Sequence, residues 1–587
     1  MKNLRIKRLK TSNIRKPFLK LLPIQVAAAL AGTVNALVDT VFTSRFLGEQ
    51  AVAGVGFFSP MLTIIYLCYV ILNGTQILCG RAVGRGKSEE VTSLFSTAAV
   101  TLAGYGVVLA LLGFSLRVPL SSLLGAKGEA AGYLADYFAG FMPGVPFMML
   151  SCQTMMFLPC NNEIKVSYVV MGVMIASNTV LDYLMIHVLG MGTFGLGLAS
   201  SLSYLIAVLI TLPRFFRKDK AYRLQMNTVR FSRMKEAVRL GAPDISFNLG
   251  VTLRTYVMNL AVMNVIGAAG VAVLSVQNSL LGFLGALPQG NAGAFTILGS
   301  IYYGEKDRTS LRRLLSLALK TGAGIAAAVS VVLVAGSSLL ASLYFPSGSE
   351  TNALMRQMLL FLPVLLILNT VYMVLSRIYQ IQSYMKTVNT LRFLEQVFTA
   401  LMAAAGIRLI GVTAVWLSNP LADVLILLIV FLWNWRFLKR APRTVEDWAH
   451  LPADFGARDE DVLEFEVGDM EEVVQISRTI TDFCREKNVS TRKAMIAGLC
   501  VEEMAGNVIR YGLRENRKNL IEIRVVAEEQ LIIRIRDNCI AFDPKQRIDQ
   551  YNPEDPAINV GIRMIARMAE EMDYHNDAGI NTLLIRV

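Results

Sequence analysis

Asn178 and Asp182 stand one helical turn apart inside the apolar run 166–189, VSYVVMGVMIASNTVLDYLMIHVL, and so share a helix face. A carboxylate inside a membrane-length run is costly and marks a protein interior or wet cavity. It can take up a proton there, or, joined by amide and hydroxyl oxygens, bind Na⁺. Asp39 in the first apolar run and Ser200, eighteen residues beyond Asp182, supply such oxygens. Arg254 and Glu395 are further ionisable residues within apolar runs. Arg254 reads equally as a counter-ion or a snorkelling side chain, and Glu395 has Arg392 one turn away to pair with. Asp423 follows Asn419-Pro420 and can cap a broken helix. A second constellation lies near the C-terminus. Glu503 and Asn507 share a helix face, Asp537 ends a strand, and Gly561, two residues after Asn559, opens a helix. A carboxylate can orient a nucleophile, an amide oxygen can ligate Mg²⁺ on ATP phosphates, and helix N–H groups can cradle phosphate.

The elements that must hold these groups are of two kinds. The 587 residues are 54% hydrophobic and only 17% charged, with mean hydropathy +0.49, as expected of a mostly membrane-embedded chain. Charge is divided unevenly: residues 1–440 carry 38 Lys/Arg against 16 Asp/Glu, and 441–587 carry 19 against 28. The basic excess belongs to membrane flanks, and nucleic acid is not needed to explain it. Seven Cys without a CxxC pair, and three scattered His, give no disulfide or zinc framework. Twelve apolar runs of bilayer length fall between 18 and 438. Basic loops follow runs two, six, eight and twelve, which puts them and both termini in the cytoplasm, with a retained first helix rather than a removable signal.

The runs repeat. At an offset of 220, Pro23, Gly84, Leu120, Ser122 and Pro143 match Pro243, Gly304, Leu340, Ser342 and Pro363. This predicts two six-helix bundles related by an axis along the membrane normal. Under the same offset Asp39, Asn178, Asp182 and Ser200 fall on Asn259, Phe398, Met402 and Pro420, so the carboxylate site belongs to the first half alone. The expected plan is a basic N-terminus (1–16), an N-lobe (17–220), a C-lobe (221–440), a linker (441–461) and a soluble α+β domain (462–587).

VDTVFTSRFLG in run one, GRAVGRGKSEE after run two, SNTVLDYL in run five and ALPQGNAGAFTILGSIYYGEKD in the second half resemble the multidrug and toxic compound extrusion (MATE) family, over residues 15–438. The resemblance implies an antiporter of the cytoplasmic (inner) membrane in which entry of a cation, Na⁺ or H⁺, drives efflux of amphipathic, often cationic, small molecules. It implies Asp39, Asn178, Asp182 and Ser200 as the cation site, with serine where threonine is expected. The helix-seven glutamate of another branch falls near Asn248. Residues 462–587 resemble the histidine-kinase-like (Bergerat) ATPase fold, nearest the anti-sigma-factor serine kinases. That implies ATP with Mg²⁺, Glu503 as base, Asn507 as Mg²⁺ ligand, Asp537 as adenine reader, and Asn559 and Gly561 in the phosphate lid. Cys539, Ala541 and Asn559 stand where glycines are expected. The working expectation is an ion-driven exporter biased by ATP on its tail. The alternatives are a membrane-tethered serine kinase or sensor that acts on a protein partner, and a flippase of lipid-linked precursors. No GxxxxGK[ST] loop supports ATP-driven pumping.

Overall fold

The computed structural model describes residues 12–217, 220–452, 454–514, 519–528, 530–545, 560–577 and 579–587. Ten helices among them are long and apolar enough to cross a membrane. In the N-lobe these are α1 (Ile14–Leu47), α2 (Gln50–Gly84), α3 (Ser88–Ser115), α5 (Ile164–Val188) and α6 (Gly192–Phe216). In the C-lobe they are α8 (Ala269–Gly304), α9 (Arg308–Ala335), α10 (Glu350–Ile381), α11 (Met385–Ile410) and α12 (Thr413–Leu438). The other two expected runs are also helical. Rod α4 is broken at Met142–Gly144 into Glu129–Phe141 and Val145–Phe157, where Pro143 and Pro146 withhold backbone donors. Helix α7 (Pro243–Val265) contains Asp244, Asn248, Arg254 and Asn259, which lower its hydropathy. The repeat is visible in the elements: α3 and α9 are displaced by 220 residues at both ends.

The lobes meet where α2 and α8 end, and backbone contact there leaves no room for side chains. A Cβ on Gly84 would lie 2.0 Å from the Ile301 carbonyl oxygen, and one on its repeat mate Gly304 would lie 2.3 Å from that of Arg81. Nearby, Asn73 donates to Asp244 at 2.6 Å and Gln380 donates to the Leu240 carbonyl at 2.6 Å.

The segment 441–461 is not a bare tether. Thr444 and Asp447 form a capping box on the helix Val445–Trp448, and Arg440 grips Asp447 at 2.7 Å. Tyr379 donates to the Trp448 carbonyl at 2.6 Å, and Phe455 stacks on Tyr303 with centroids 4.9 Å apart. His450 lies between Trp433 and Phe437, and burial lowers its imidazole from 6.5 to about 4.

The tail is an α+β domain running β1 (Val462–Val467), α13 (Met470–Glu486), α14 (Thr491–Tyr511), β2 (Ile521–Ala527), β3 (Leu531–Asp537), α15 (Val560–Met568), β4 (Glu571–Asp577) and β5 (Ile580–Arg586). The strands form one antiparallel sheet in the order β1-β2-β3-β5-β4. Alternation sends Ile523, Val525, Ile533, Ile535 and Ile585 to one face, where they pack on Val473, Ile480, Val501 and Ile565 of the helices. Asp469 caps α13 by accepting the Glu472 amide at 2.8 Å.

Candidate functional site

Three helices deliver the N-lobe polar group. Asp39 comes from α1, Asn178 and Asp182 from α5, and Ser200 from α6. Asn178 donates to Asp182 Oδ2 at 3.3 Å, and the Ser200 hydroxyl donates to Asp39 Oδ2 at 3.4 Å. The carboxyls of Asp39 and Asp182 lie within hydrogen-bonding reach of each other. Asp182 is fully buried, Asn178 and Ser200 nearly so. Asp39 Oδ1 and Asp182 Oδ1 are buried with no protein donor. Two ionised carboxylates cannot donate to each other, so a shared proton or a cation is what such a pair accommodates. The donor set, two carboxylates with an amide and a hydroxyl, fits a hard cation as well as a proton.

The backbone around this pair changes winding. Both acids stand just ahead of a π-helical turn, Thr43–Leu47 after Asp39 and Tyr183–Val188 after Asp182. Gly48 N–H reaches back five residues to the Thr43 carbonyl at 3.1 Å, and Leu189 to Leu184 at 2.9 Å. Such turns cluster at functional sites. Sequence reasoning did not foresee them, because a one-residue excess in winding leaves no compositional mark.

The C-lobe has a separate pocket of about 260 Å³, where Arg254, Glu395, Gln396, Asn419 and Asp423 interrupt a mainly apolar lining. Arg254 donates to Asn419 at 3.2 Å. Glu395 accepts from Gln396 at 3.0 Å, and its other oxygen has no donor. The closest contacts of Arg392 are elsewhere, with Asp244 at 3.3 Å and Ser376 at 3.1 Å. Spacing along α11 therefore does not decide whom Arg392 binds; the neighbouring α7 and α10 do.

In the tail, Glu503 and Asn507 are both half-buried on α14. The start of α15 is pressed against Glu503: a Cβ on Gly561 would lie 2.2 Å from Glu503 Oε2. Asp537 ends β3, and its Oδ1 accepts from Asn581 Nδ2 at 2.7 Å and from the Cys539 amide at 2.9 Å. Burial raises the Asp537 carboxyl, with those two donors opposing the shift. The loop after Asp537 is tied to the end of α14 by the Ile540 amide donating to the Gly512 carbonyl at 2.8 Å. Asn559 lies outside the described residues. Among the described residues no group of three His, Cys, Asp or Glu could hold a metal by itself. A Mg²⁺ at Asn507 would be held jointly with ATP phosphate oxygens.

Sequence reasoning also left out three arginines of the sheet. Arg524, Arg534 and Arg536 point away from the tail's core and are nonetheless buried. Arg534 meets Glu305 at 2.5 Å and Asp307 at 2.8 Å, Arg536 meets Glu305 at 2.6 Å, and Arg524 meets Asp307 at 2.8 Å. Glu305 and Asp307 form the loop between α8 and α9. The signal available was the alternation IRVV and LIIRIRD, in which arginines recur on one strand face.

Two copies of a six-helix unit, with a carboxylate pair in one and a sheet domain bearing the Glu/Asn/Asp/Gly set behind them, define a transporter-type membrane bundle with an ATPase-type tail. Residues 26–184 and 243–404 match the MatE family, and 467–587 match the histidine kinase-like ATPase domain. The chain belongs to the MatE family. It is 27% identical over 319 residues to the probable multidrug resistance protein YoeA of Bacillus subtilis, covering 51% of this chain and 67% of that one. It is 25% identical over 322 residues to the probable multidrug resistance protein NorM of Streptococcus pneumoniae, covering 52% and 69%. Among solved structures, an outward-facing multidrug resistance MATE family transporter superposes with TM-score 0.67 at 22% identity, over 74% of this chain and 98% of that one. A MOP superfamily transporter from Pyrococcus furiosus does so with TM-score 0.64 at 20% identity, over 72% and 95%. These structures share the fold.

Proposed function

We propose that the chain is a multidrug exporter of the cytoplasmic membrane in which a cation, Na⁺ or H⁺, enters through the Asp39–Asp182 pair and drives efflux of amphipathic cations. The observation that carries this reading is the meeting of two carboxylates from separate helices, each keeping one buried oxygen without a protein donor. Asn178 and Ser200 hold the other oxygens in place. The names of its relatives suggest drugs as substrates. The basic loops, with the tail on their side, favour a cytoplasmic tail.

The tail binds ATP with Mg²⁺ and biases the transporter. Glu503 is the base or water-orienting group, Asn507 the Mg²⁺ ligand, Asp537 the acceptor for the adenine amine, and Asn559 and Gly561 belong to the phosphate lid. Transfer of phosphate to a protein partner is an outcome that incubation of the full chain with labelled ATP and a cell extract would read.

The test is ethidium efflux from proteoliposomes with inward Na⁺ and proton gradients imposed separately, each with and without ATP. One gradient drives efflux in the wild type, Asp182→Asn removes that drive, and ATP changes the rate. Equal efflux in Asp182→Asn and wild type would overturn the coupling.

A further inference from the structure

The sheet's outer face, opposite the helices, touches both lobes of the membrane domain across an open cavity of about 1110 Å³. On the C-lobe side the contact is the buried set of Arg524, Arg534 and Arg536 with Glu305 and Asp307. On the N-lobe side Ser88 donates to Asp573 at 2.8 Å, and Arg586 donates to the Arg85 carbonyl at 2.6 Å. Gly86, with φ +71°, packs so closely that a Cβ would lie 2.9 Å from Leu584.

The two gripped loops are repeat mates: the 220 offset places Gly84–Ser88 on Gly304–Arg308. They leave α2 and α8 where the lobes touch backbone to backbone. One rigid sheet thus spans the seam at which two rocking lobes must part. The chemistry differs on the two sides. The C-lobe grip pairs buried charge with buried charge, whereas in the N-lobe grip each charged tail group, Asp573 and Arg586, meets a neutral hydroxyl or carbonyl, and Leu584 packs on Gly86. Strand β3 joins the grip to the nucleotide region. Alternation aims Ile533, Ile535 and Asp537 toward the helices and Arg534 and Arg536 toward Glu305. The adenine acceptor and the gripping arginines are neighbours on opposite faces of one strand.

We propose that the outer sheet face is a clasp. It holds the loops 84–88 and 304–308 together and keeps the lobes closed on the tail side. They part there when the weaker N-lobe contact releases, and nucleotide on the other face of β3 sets the grip. The nucleotide half of this inference rests on the reading that the tail binds ATP.

The experiment uses the full chain with Cys152 replaced by alanine, the other six cysteines being buried. Lys87 and Lys306, both exposed, are changed to cysteine and spin-labelled, and their separation is measured in lipid nanodiscs by pulsed dipolar spectroscopy. One short distance is expected. Arg534→Glu with Arg536→Glu adds a longer population, and Glu305→Arg in that background restores the short one. Ser88→Cys with Asp573→Cys forms a disulfide on oxidation, and that bond prevents the longer population from appearing. An unchanged distance in the charge-reversed protein, or no disulfide between positions 88 and 573, overturns the clasp. If ATP binds, as read by calorimetry on the same samples, yet leaves every distance unchanged, the nucleotide half is overturned. ATP that fails to bind counts against the ATP reading, while the distance shift still upholds the clasp.

Discussion

Asp182 and Asp307 are both fully buried aspartates, and they keep opposite company. Asp182 faces another carboxyl, Asp39, and accepts from the Asn178 amide. Asp307 lies 2.8 Å from the guanidinium groups of both Arg524 and Arg534, and accepts the Ser310 amide at 3.0 Å. Burial alone would push the Asp307 carboxyl up, but Arg524, Arg534 and that amide hold it well below the usual carboxylate range. A buried charge with its counter-charges built in is a joint. A buried charge beside a like charge lacks a counter-charge, and only a proton or a cation can supply one. Burial therefore does not assign a role to either residue; the sign of its neighbours does.

The comparison can be broken by substitution. Asp307→Asn leaves Arg524 and Arg534 short of counter-charge in a buried contact. The expected loss is about 3–5 kcal/mol of docking stability, read as tail release in limited proteolysis and as a lowered first unfolding transition. Asp182→Asn relieves like-charge crowding, so stability stays within about 1 kcal/mol of wild type while coupled efflux is lost. If Asp182→Asn unfolds the lobe and Asp307→Asn does not, the roles are reversed.

Smaller effects sharpen it. Gly561→Ala forces a methyl into Glu503 and lowers ATP affinity on the order of tenfold, or ~1.4 kcal/mol, by calorimetry. Acid should act unevenly. The Asp307 carboxyl is lowered, so its contribution is complete above the ordinary aspartate value and is lost only on strong acidification. Docking is thus flat from neutral pH down to the ordinary carboxylate range. The His450 imidazole is also lowered, to about 4 from 6.5, so its neutral form stabilises the strap; that contribution is present above pH 6.5 and falls away as pH drops toward 4. Proteolysis of 441–461 should accelerate in that window while β2 and β3 stay protected. Ser200→Ala removes one 3.4 Å hydrogen bond to Asp39 and should weaken cation dependence by about 1 kcal/mol at most.

Much of this was legible in the chain. Apolar runs and the 220-residue offset located the helices but not the break in α4, since Pro363, the repeat mate of Pro143, lies inside unbroken α10. Alternation of apolar and polar residues marks β1 and β3, and the helix that Gly561 opens ends at Met568, before β4 begins at Glu571. What the sequence could not display is which distant groups meet. An arginine alternating with isoleucine in β3 reads as solvated until the Glu305–Asp307 loop, more than two hundred residues earlier, is laid against it. Arg392 and Glu395 read as an i,i+3 pair until α7 offers Asp244. The N-lobe group is easier, because its costly residues stand out against an apolar background.

The central claim is that ion coupling resides in the N-lobe pair and not in the C-lobe pocket around Glu395. Ethidium efflux driven by the effective cation gradient, compared between Asp182→Asn and Glu395→Gln in proteoliposomes of equal protein content, tests it most directly. Loss of gradient-driven efflux in Asp182→Asn, with Glu395→Gln still responding to the gradient, is the predicted result. Retained coupling in Asp182→Asn together with its loss in Glu395→Gln would contradict the account.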